Sequence, residues 1–386
     1  MGITVFSFMM SVIWFNIFIA MISFIRLRSS FILNFSLAPL LFLVATCFFR
    51  LLCSFELPIT FVIHSVWIFP TIIDFLTISR FSIWNNGIDL SLLNLLMILW
   101  ALGSIYFLQV YMRQSIQLMK IIRTGEETQD KQLLSCLKQI QETAQQNTKV
   151  KFIRASWITV PMVTGFFKPT IFLPDISFTD AELQSILLHE WNHFLNKDTW
   201  IKLYMCLISI IFWWNPFIYI LKVNLNHILE IRCDLKLTNQ MSDDNRLEYL
   251  KSITKIIKFQ LSLKENSEYD KLPTMSFLVS TNNMKKIEQR FMLVLDNQPT
   301  KKRKVSSILV YVTIFLLFLV SYMFVLQPAY EPTVEAGYEQ SFSISAENAY
   351  IKNNSDGTYS LYVNNQYQFN ITDISEEPFL SLPIKQ

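Results

Sequence analysis

Four stretches of this chain run for twenty residues or more without a charged side chain: residues 1–25, 29–49, 90–112 and 305–330. A helix crosses the hydrocarbon core of a bilayer in about 20 mostly apolar residues. Each run is therefore predicted to be a membrane span, and the lipid bilayer is the first expected partner. The first run lacks a basic start and has no small-residue cleavage site before Arg26, so it reads as a span and not as a removed leader. Two further apolar stretches are open to either reading. Residues 57–73 contain His64 and Pro70, and residues 203–221 carry Trp213-Trp214-Asn215-Pro216 in their middle. Proline in mid-helix removes a hydrogen bond and kinks the chain.

Composition narrows the remaining options. Charged residues make up 16% of the chain, against about 25% in soluble proteins. The 7 glycines are all far apart, which excludes a phosphate-binding loop and a dinucleotide turn. A net charge of +3 gives no argument for direct nucleic-acid binding. The five cysteines form no CxxC pair, so neither a disulfide framework nor a thiolate metal cage is expected.

Lysine and arginine near span ends set orientation. Arg26 and Arg28 follow the first run, Arg113, Lys120 and Arg123 follow the third, and Lys301-Lys302-Arg303-Lys304 precede the last. These clusters share one side, the cytosol, if the N-terminus and the C-terminal tail lie outside. Arg50 does not fit this pattern. The resulting layout has spans within 1–112, an external loop at 54–89, a cytosolic domain at 113–304, a last span at 305–330 and a small external β module at 331–386. Both halves of the cytosolic domain stay on one side only if 203–221 enters the membrane and returns, with a break at Asn215-Pro216. Such irregular backbone is tolerated where protein or water covers it.

The chemistry lies in His189-Glu190-Trp191-Asn192-His193. Thr179 with Glu182 three residues later is a capping box that opens a helix. On that helix His189 and His193 are one turn apart and share a face. Two imidazoles so placed can ligate one Zn2+. Zinc lowers the pKa of a bound water toward about 7, and the adjacent Glu190 can take its proton. Glu230 is the candidate third metal ligand, and leaves the fourth position for water. Asp234, one turn further, can support a ligating histidine by hydrogen bonding. His227 is a rival third ligand or an oxyanion donor.

The runs Ile158-Thr159-Val160-Pro161 to Gly165, Lys168-Pro169-Thr170-Ile171-Phe172-Leu173-Pro174 and HEWNHFLNKD resemble the BlaR/MecR-type antirepressor membrane zinc metallopeptidases. Asn215-Pro216 and Glu230-x-x-Cys233-Asp234 match that pattern too. The resemblance covers residues 1–330 in layout and is specific over about 150–240. It implies a zinc protease facing the cytosol of a bacterial-type cell membrane, with His189, His193 and Glu230 on the metal and Glu190 as base. It also implies an external cue and a cytosolic winged-helix-type repressor as partner. A homodimer is left open. The best-known members carry a large external penicillin-binding domain, whereas about 56 residues follow the last span here. Ser252-Ile253-Thr254-Lys255 matches SxxK but has no KTG partner, so sensing by acylation is not expected. Two other readings compete: a non-catalytic transducer with a structural zinc, and a CAAX- or HtpX-like quality-control protease.

Elsewhere, Phe152–Pro174 is predicted as strand, turn and strand around Gly165. Residues 264–283 read as a loop, and self-cleavage is expected between Thr274 and Arg290. In the tail, 349–352 and 358–363 read as a hairpin turning at Asp356-Gly357, with a third strand at 366–371. That module is expected to pack on the external loop or on a partner.

Overall fold

The computed structural model describes residues 4–58, 60–83, 88–128, 130–144, 148–239, 241–265, 284–296, 304–329, 344–346, 348–354, 357–374 and 379–385. The chain opens with α1 (Val5–Arg26), α2 (Ser29–Phe35) and α3 (Ala38–Leu52). Next come β1 (Phe61–Ser65), α4 (Ile68–Thr77), the antiparallel pair β2 (Ser79–Ile83) and β3 (Ile88–Ser91), and α5 (Leu92–Thr124). The middle of the chain holds α6 (Lys131–Ala144), β4 (Lys151–Ala155), β5 (Met162–Thr164), β6 (Thr170–Pro174), α7 (Asp180–Leu195), α8 (Asp198–Ile211) and α9 (Pro216–Thr238). Then follow α10 (Asp243–Glu265), α11 (Met284–Leu295), α12 (Lys304–Val320) and β7 (Phe324–Pro328). Two compact units result, Met1–Pro328 and Ala329–Gln386.

Among the described residues, α1 and α5 are long and apolar enough to cross a membrane. The predicted span at 29–49 is a bent pair, α2 and α3 meeting at 102°, apolar enough together to count as one broken span or a re-entrant loop. The bend falls at Ser36, whose φ of 67° interrupts the helix. The predicted last span is shorter than 305–330, because its helix stops at Val320 and the chain continues as β7. β7 pairs in parallel with β1, Phe324 opposite Phe61 and Pro328 opposite Ser65. Residues 57–73 are thus strand and helix rather than a single span. An apolar run alone does not distinguish these cases.

At 203–221 the chain breaks where the sequence indicated. Asn215 caps α9 by accepting from Phe217 N–H (3.0 Å), and Pro216 takes the first helical position, where a missing N–H costs nothing. The α8 side of the break rests on α5. Trp100 Nε1 donates to Ile211 O (2.8 Å) and Trp213 Nε1 to Trp100 O (3.3 Å). Gly103 permits this approach, since a Cβ there would lie 2.4 Å from the Trp213 ring.

One apolar core joins α1, α3, α8, α9 and α12, through Phe15, Phe18, Leu43, Ile218, Leu225 and Ile314 among others. The polar residues of α1 point into it. Asn215 Nδ2 donates to Asn16 Oδ1 (2.9 Å) and Asn224 Nδ2 to Ser23 Oγ (2.7 Å), which ties α9 to α1. Interhelical hydrogen bonds of this kind are the polar glue of membrane bundles. The misfit of Arg50 also has its explanation here. Its side chain is buried, bonded to Ser11, and donates to the Ser321 hydroxyl and carbonyl (3.1 Å each) beneath the Tyr322 ring. It is a cation at the C-terminal end of α12, where carbonyls and the helix dipole favour it. It is therefore not a topology signal.

The predicted hairpin around Gly165 is β5–β6, and β4 adds a parallel third strand, giving the order β4-β6-β5 with β5 at an edge. Gly165 turns at φ +106°, and a Cβ there would meet Lys168 O at 2.1 Å. The sheet packs on α6 and α7 through Phe152, Ile171, Leu173, Leu183, Leu187 and Trp191. In the second unit, β8 (Ala349–Asn353), β9 (Tyr359–Val363), β10 (Gln366–Ile371) and β11 (Ile384–Lys385) form one sheet in the order β10-β9-β8-β11. Its β9–β10 turn is Asn364-Asn365, both left-handed (φ 50° and 64°), as a two-residue hairpin turn requires. Of the predicted Asp356-Gly357 turn, Asp356 lies outside the described residues.

Ser321→Ala should leave the Arg50 Nε–H without its side-chain acceptor in an apolar interior. Unfolding in detergent micelles should then fall by about 1–3 kcal/mol, and an unchanged transition would show that Arg50 finds another partner.

Candidate metal centre

Helix α7 starts as the sequence requires: the Thr179 hydroxyl accepts from Glu182 N–H, and the Glu182 carboxylate accepts from Thr179 N–H (2.9 Å). Glu182 also takes Lys255 Nζ of α10 at 2.7 Å, while Ser252 Oγ donates to Tyr249 O. Both ends of the SxxK match thus have structural partners. One turn apart on the inner face of α7, His189 and His193 are buried with their Nε2 atoms 3.1 Å apart. Glu230 arrives from α9. Its Oε2 lies 3.6 Å from His189 Nε2, and its Oε1 lies 3.5 Å from His193 Nε2.

The groups behind the histidines decide what these atoms can hold. His193 Nδ1 donates to Asp198 Oδ2 (2.6 Å), and Asp198 also takes the Arg232 guanidinium. His189 Nδ1 lies 2.8 Å from the Tyr249 hydroxyl, which itself donates to Asp234 Oδ1 (2.6 Å). The hydroxyl has only one proton, so it accepts from His189. Assigned from these partners, both rings carry their proton on Nδ1 and present bare Nε2 lone pairs to each other and to a carboxylate. Three acceptors facing one point repel unless a cation stands between them. Ligands at about 2.0–2.1 Å around a tetrahedral Zn2+ lie about 3.3–3.4 Å apart, close to the 3.1, 3.5 and 3.6 Å found. The donor set therefore fits a divalent metal.

Electrostatics agree. Burial works to raise the pKa of Glu230, but Arg290, His193 and His189 outweigh it and hold the carboxyl well below its usual range. Burial opposes a charge on His189, but the neighbouring carboxylates of Glu230, Asp234 and Glu190 favour positive charge there, and a divalent ion between the donors supplies it. Glu190 is itself buried and lines the same cleft as His189, His193 and Glu230. The cleft is also lined by Met162 and Val163 of the edge strand β5, and by Ile256 of α10.

The sequence-predicted residues His189, Glu190, His193 and Glu230 thus come together. Asp234 is there too, with a difference: Tyr249 bridges it to His189, whose Nδ1 is 3.4 Å from Asp234 Oδ1. His227 does not join the metal group; it bonds Gln289 of α11 through Nε2 (2.9 Å). Cys233 lies 3.3 Å from His193 Nδ1, on the side away from the metal-facing nitrogen. Burial, and then Asp198, Glu230 and Asp234, raise its thiol pKa strongly, so it stays protonated. Asp198, Tyr249, Arg232 and Arg290 escaped the sequence reading. Only Asp198 had a local signal, five residues after His193, where Lys197 in a left-handed turn (φ 58°) starts α8 and returns the carboxylate to the ring.

With this geometry in hand, the comparisons with known proteins are specific. The family model for the BlaR1 peptidase M56 matches residues 84–294, more than half of the chain and all of the metal-site residues. The chain belongs to the BlaR1 peptidase M56 family, a family of metallopeptidase type. It is 31% identical over 158 residues to the regulatory protein BlaR1 of Bacillus licheniformis, covering 40% of this chain and 26% of that protein. It is 25% identical over 232 residues to the methicillin resistance mecR1 protein of Staphylococcus aureus, covering 58% of this chain and 38% of that protein. The match therefore spans well under half the length of these relatives. Fold, site and relatives together define a membrane protein with a site of metallopeptidase type.

Removing the charge behind His193 with Asp198→Asn should weaken zinc binding about 10–100-fold, measured by chelator competition, with the fold retained. A pH effect is also expected at His227. Burial lowers its pKa to about 4; the Gln289 bond resists this, while Arg26, Arg290 and Lys286 add to it. As pH falls, the unfolded chain therefore takes up this proton first. The stability involved is intact above about 6.5 and is lost as pH drops toward about 4. His227→Gln should flatten the pH profile of melting in that window, and an unaltered profile would remove His227 as its source.

Proposed function

We propose that this protein is a zinc-dependent metalloendopeptidase that cuts a cytosolic regulator, itself, or both, in response to an external cue. One observation carries the reading: two bare imidazole nitrogens and a carboxylate converge on one point, with Glu190 in the same cleft. Three protein ligands leave a position open for water, as catalytic sites do, whereas a structural zinc would be closed by four. Zn2+ held by His189, His193 and Glu230 would supply Lewis acidity toward a peptide carbonyl and acidify a water. Glu190 then accepts the proton and passes it to the leaving amine. Asp198 and Tyr249 fix the two ring tautomers. The edge strand β5 can take an extended peptide by strand addition and lay its backbone along the cleft.

The side of the membrane follows from charge. Arg26, Arg28, Arg113, Lys120 and Arg123 favour a cytosolic catalytic face, with the N-terminus and the tail outside. By likeness to the regulatory relatives, the natural substrate is a winged-helix-type repressor. Self-cleavage is expected between Thr274 and Arg290, a window that lies mostly outside the described residues. A non-catalytic zinc-containing transducer is the second reading. The absence of a fourth protein ligand around His189, His193 and Glu230 among the described residues argues against it.

Wild type and Glu190→Gln, expressed in membranes with a tag at each end, separate these readings. Zinc in both, with chain fragments or repressor cleavage only in the wild type, is the expected result. Zinc in both with no cleavage of either chain or repressor under induction would favour the transducer. Zinc in neither would remove the metal centre altogether.

A further inference from the structure

Arg290 of α11 touches two acids that stand one turn apart on α9. Its Nε donates to Asp234 Oδ2 (2.6 Å) and Nη2 to Asp234 Oδ1 (2.9 Å), a bidentate fork. Its Nη1 lies 3.2 Å from Glu230 Oε2. Each acid leads to the metal point by its own route. Glu230 reaches it directly as the third donor. Asp234 reaches it through Tyr249 and the Nδ1 of His189. One guanidinium therefore stands behind two of the three donors, and they come from different helices.

Charge makes the same demand. Glu190, Asp198 and Asp234 are buried, and the half-buried Glu230 stands among them beside the histidines. A divalent ion together with the guanidiniums of Arg232 and Arg290 balances these four carboxylates. A guanidinium stays charged at any physiological pH, so Arg290 is a permanent cation between Asp234 and Glu230. Three of its nitrogens already face these acids, which argues for a role behind the donors rather than on the substrate.

We propose that Arg290 is the positioning residue of the metal centre. It sets Glu230 and, through Asp234 and Tyr249, His189, so that both donor atoms meet His193 at one point. The proposal rests on the metal reading of the site. A lysine would keep the charge but not the planar fork, and could not hold both acids in this geometry.

The test uses the full chain in detergent micelles, carrying Glu190→Gln so that no self-cleavage intervenes. Zn2+ affinity is measured by chelator competition, the Co2+ absorption spectrum reports donor geometry, and thermal unfolding of the metal-free protein reports the fold. Arg290→Lys is expected to melt near the parent temperature, to bind Zn2+ about 10–100-fold more weakly, and to show an altered Co2+ spectrum. A merely structural role would shift melting and leave the spectrum unchanged. Equal affinity and an identical spectrum would overturn the proposal. If the lysine variant fails to fold, Arg290→Gln is judged by the same two readouts. A parent protein that binds neither Zn2+ nor Co2+ would overturn the metal reading itself, a failure distinct from a variant that matches its parent.

Discussion

Two hydrogen bonds inside an apolar bundle, Asn16 with Asn215 and Ser23 with Asn224, fix the helix on which the site depends. The two histidines lie on α7, and no property of α7 can supply the third donor. Glu230 must be brought to them by α9, and α9 is held at its start by Asn215, Pro216 and the first span. From Asn224 to Glu230 is under two helical turns, so the anchor is close to the donor. On the same helix His227 meets Gln289, whose amide donates to Arg26 O at the end of α1. The metal site is thus joined at three heights to one membrane helix.

The second constraint comes from the other side of α7. Its outer face is buried against α6 and the three-stranded sheet by Leu183, Leu187 and Trp191. Its inner face carries the histidines toward α9. A helix clamped on two faces does not rotate, and this keeps both imidazoles aimed at one point. Among the described residues the same sheet leaves β5 unpaired on its outer side, beside the cleft. Rigidity and an available strand edge therefore come from one small element.

The parts visible in the sequence are those whose chemistry is local. HEWNH, the Thr179–Glu182 cap, the Gly165 turn and the Asn215-Pro216 break all depend on neighbours a few residues apart. The C-terminal end of the first span, read at residue 25 and found at Arg26, is equally local. What escaped depends on distance in sequence. Tyr249 and Arg290 reach the site from α10 and α11 with no spacing rule to mark them. Arg50 looked like a topology signal and is a buried helix-end partner. Residues 61–65 and 324–328 lie in runs apolar enough for a helix, yet pair as strands β1 and β7 because each supplies the other's hydrogen bonds. Hydrophobicity reports burial, and does not say which backbone partner will be found.

The Arg50 contact has a temporal side. Arg50 and Ser321 are separated by 271 positions. As the chain is made, α3 enters the bilayer long before α12 exists. For that interval the guanidinium has only Ser11 and the Cys53 carbonyl near it. The bundle therefore closes last at this point, when α12 arrives and brings β7 to β1. A chain stopped short of residue 304 would contain every residue of the candidate metal site and still leave the Arg50 guanidinium without its Ser321 acceptors. The half of the chain that carries the candidate metal site thus depends on a helix made well after it.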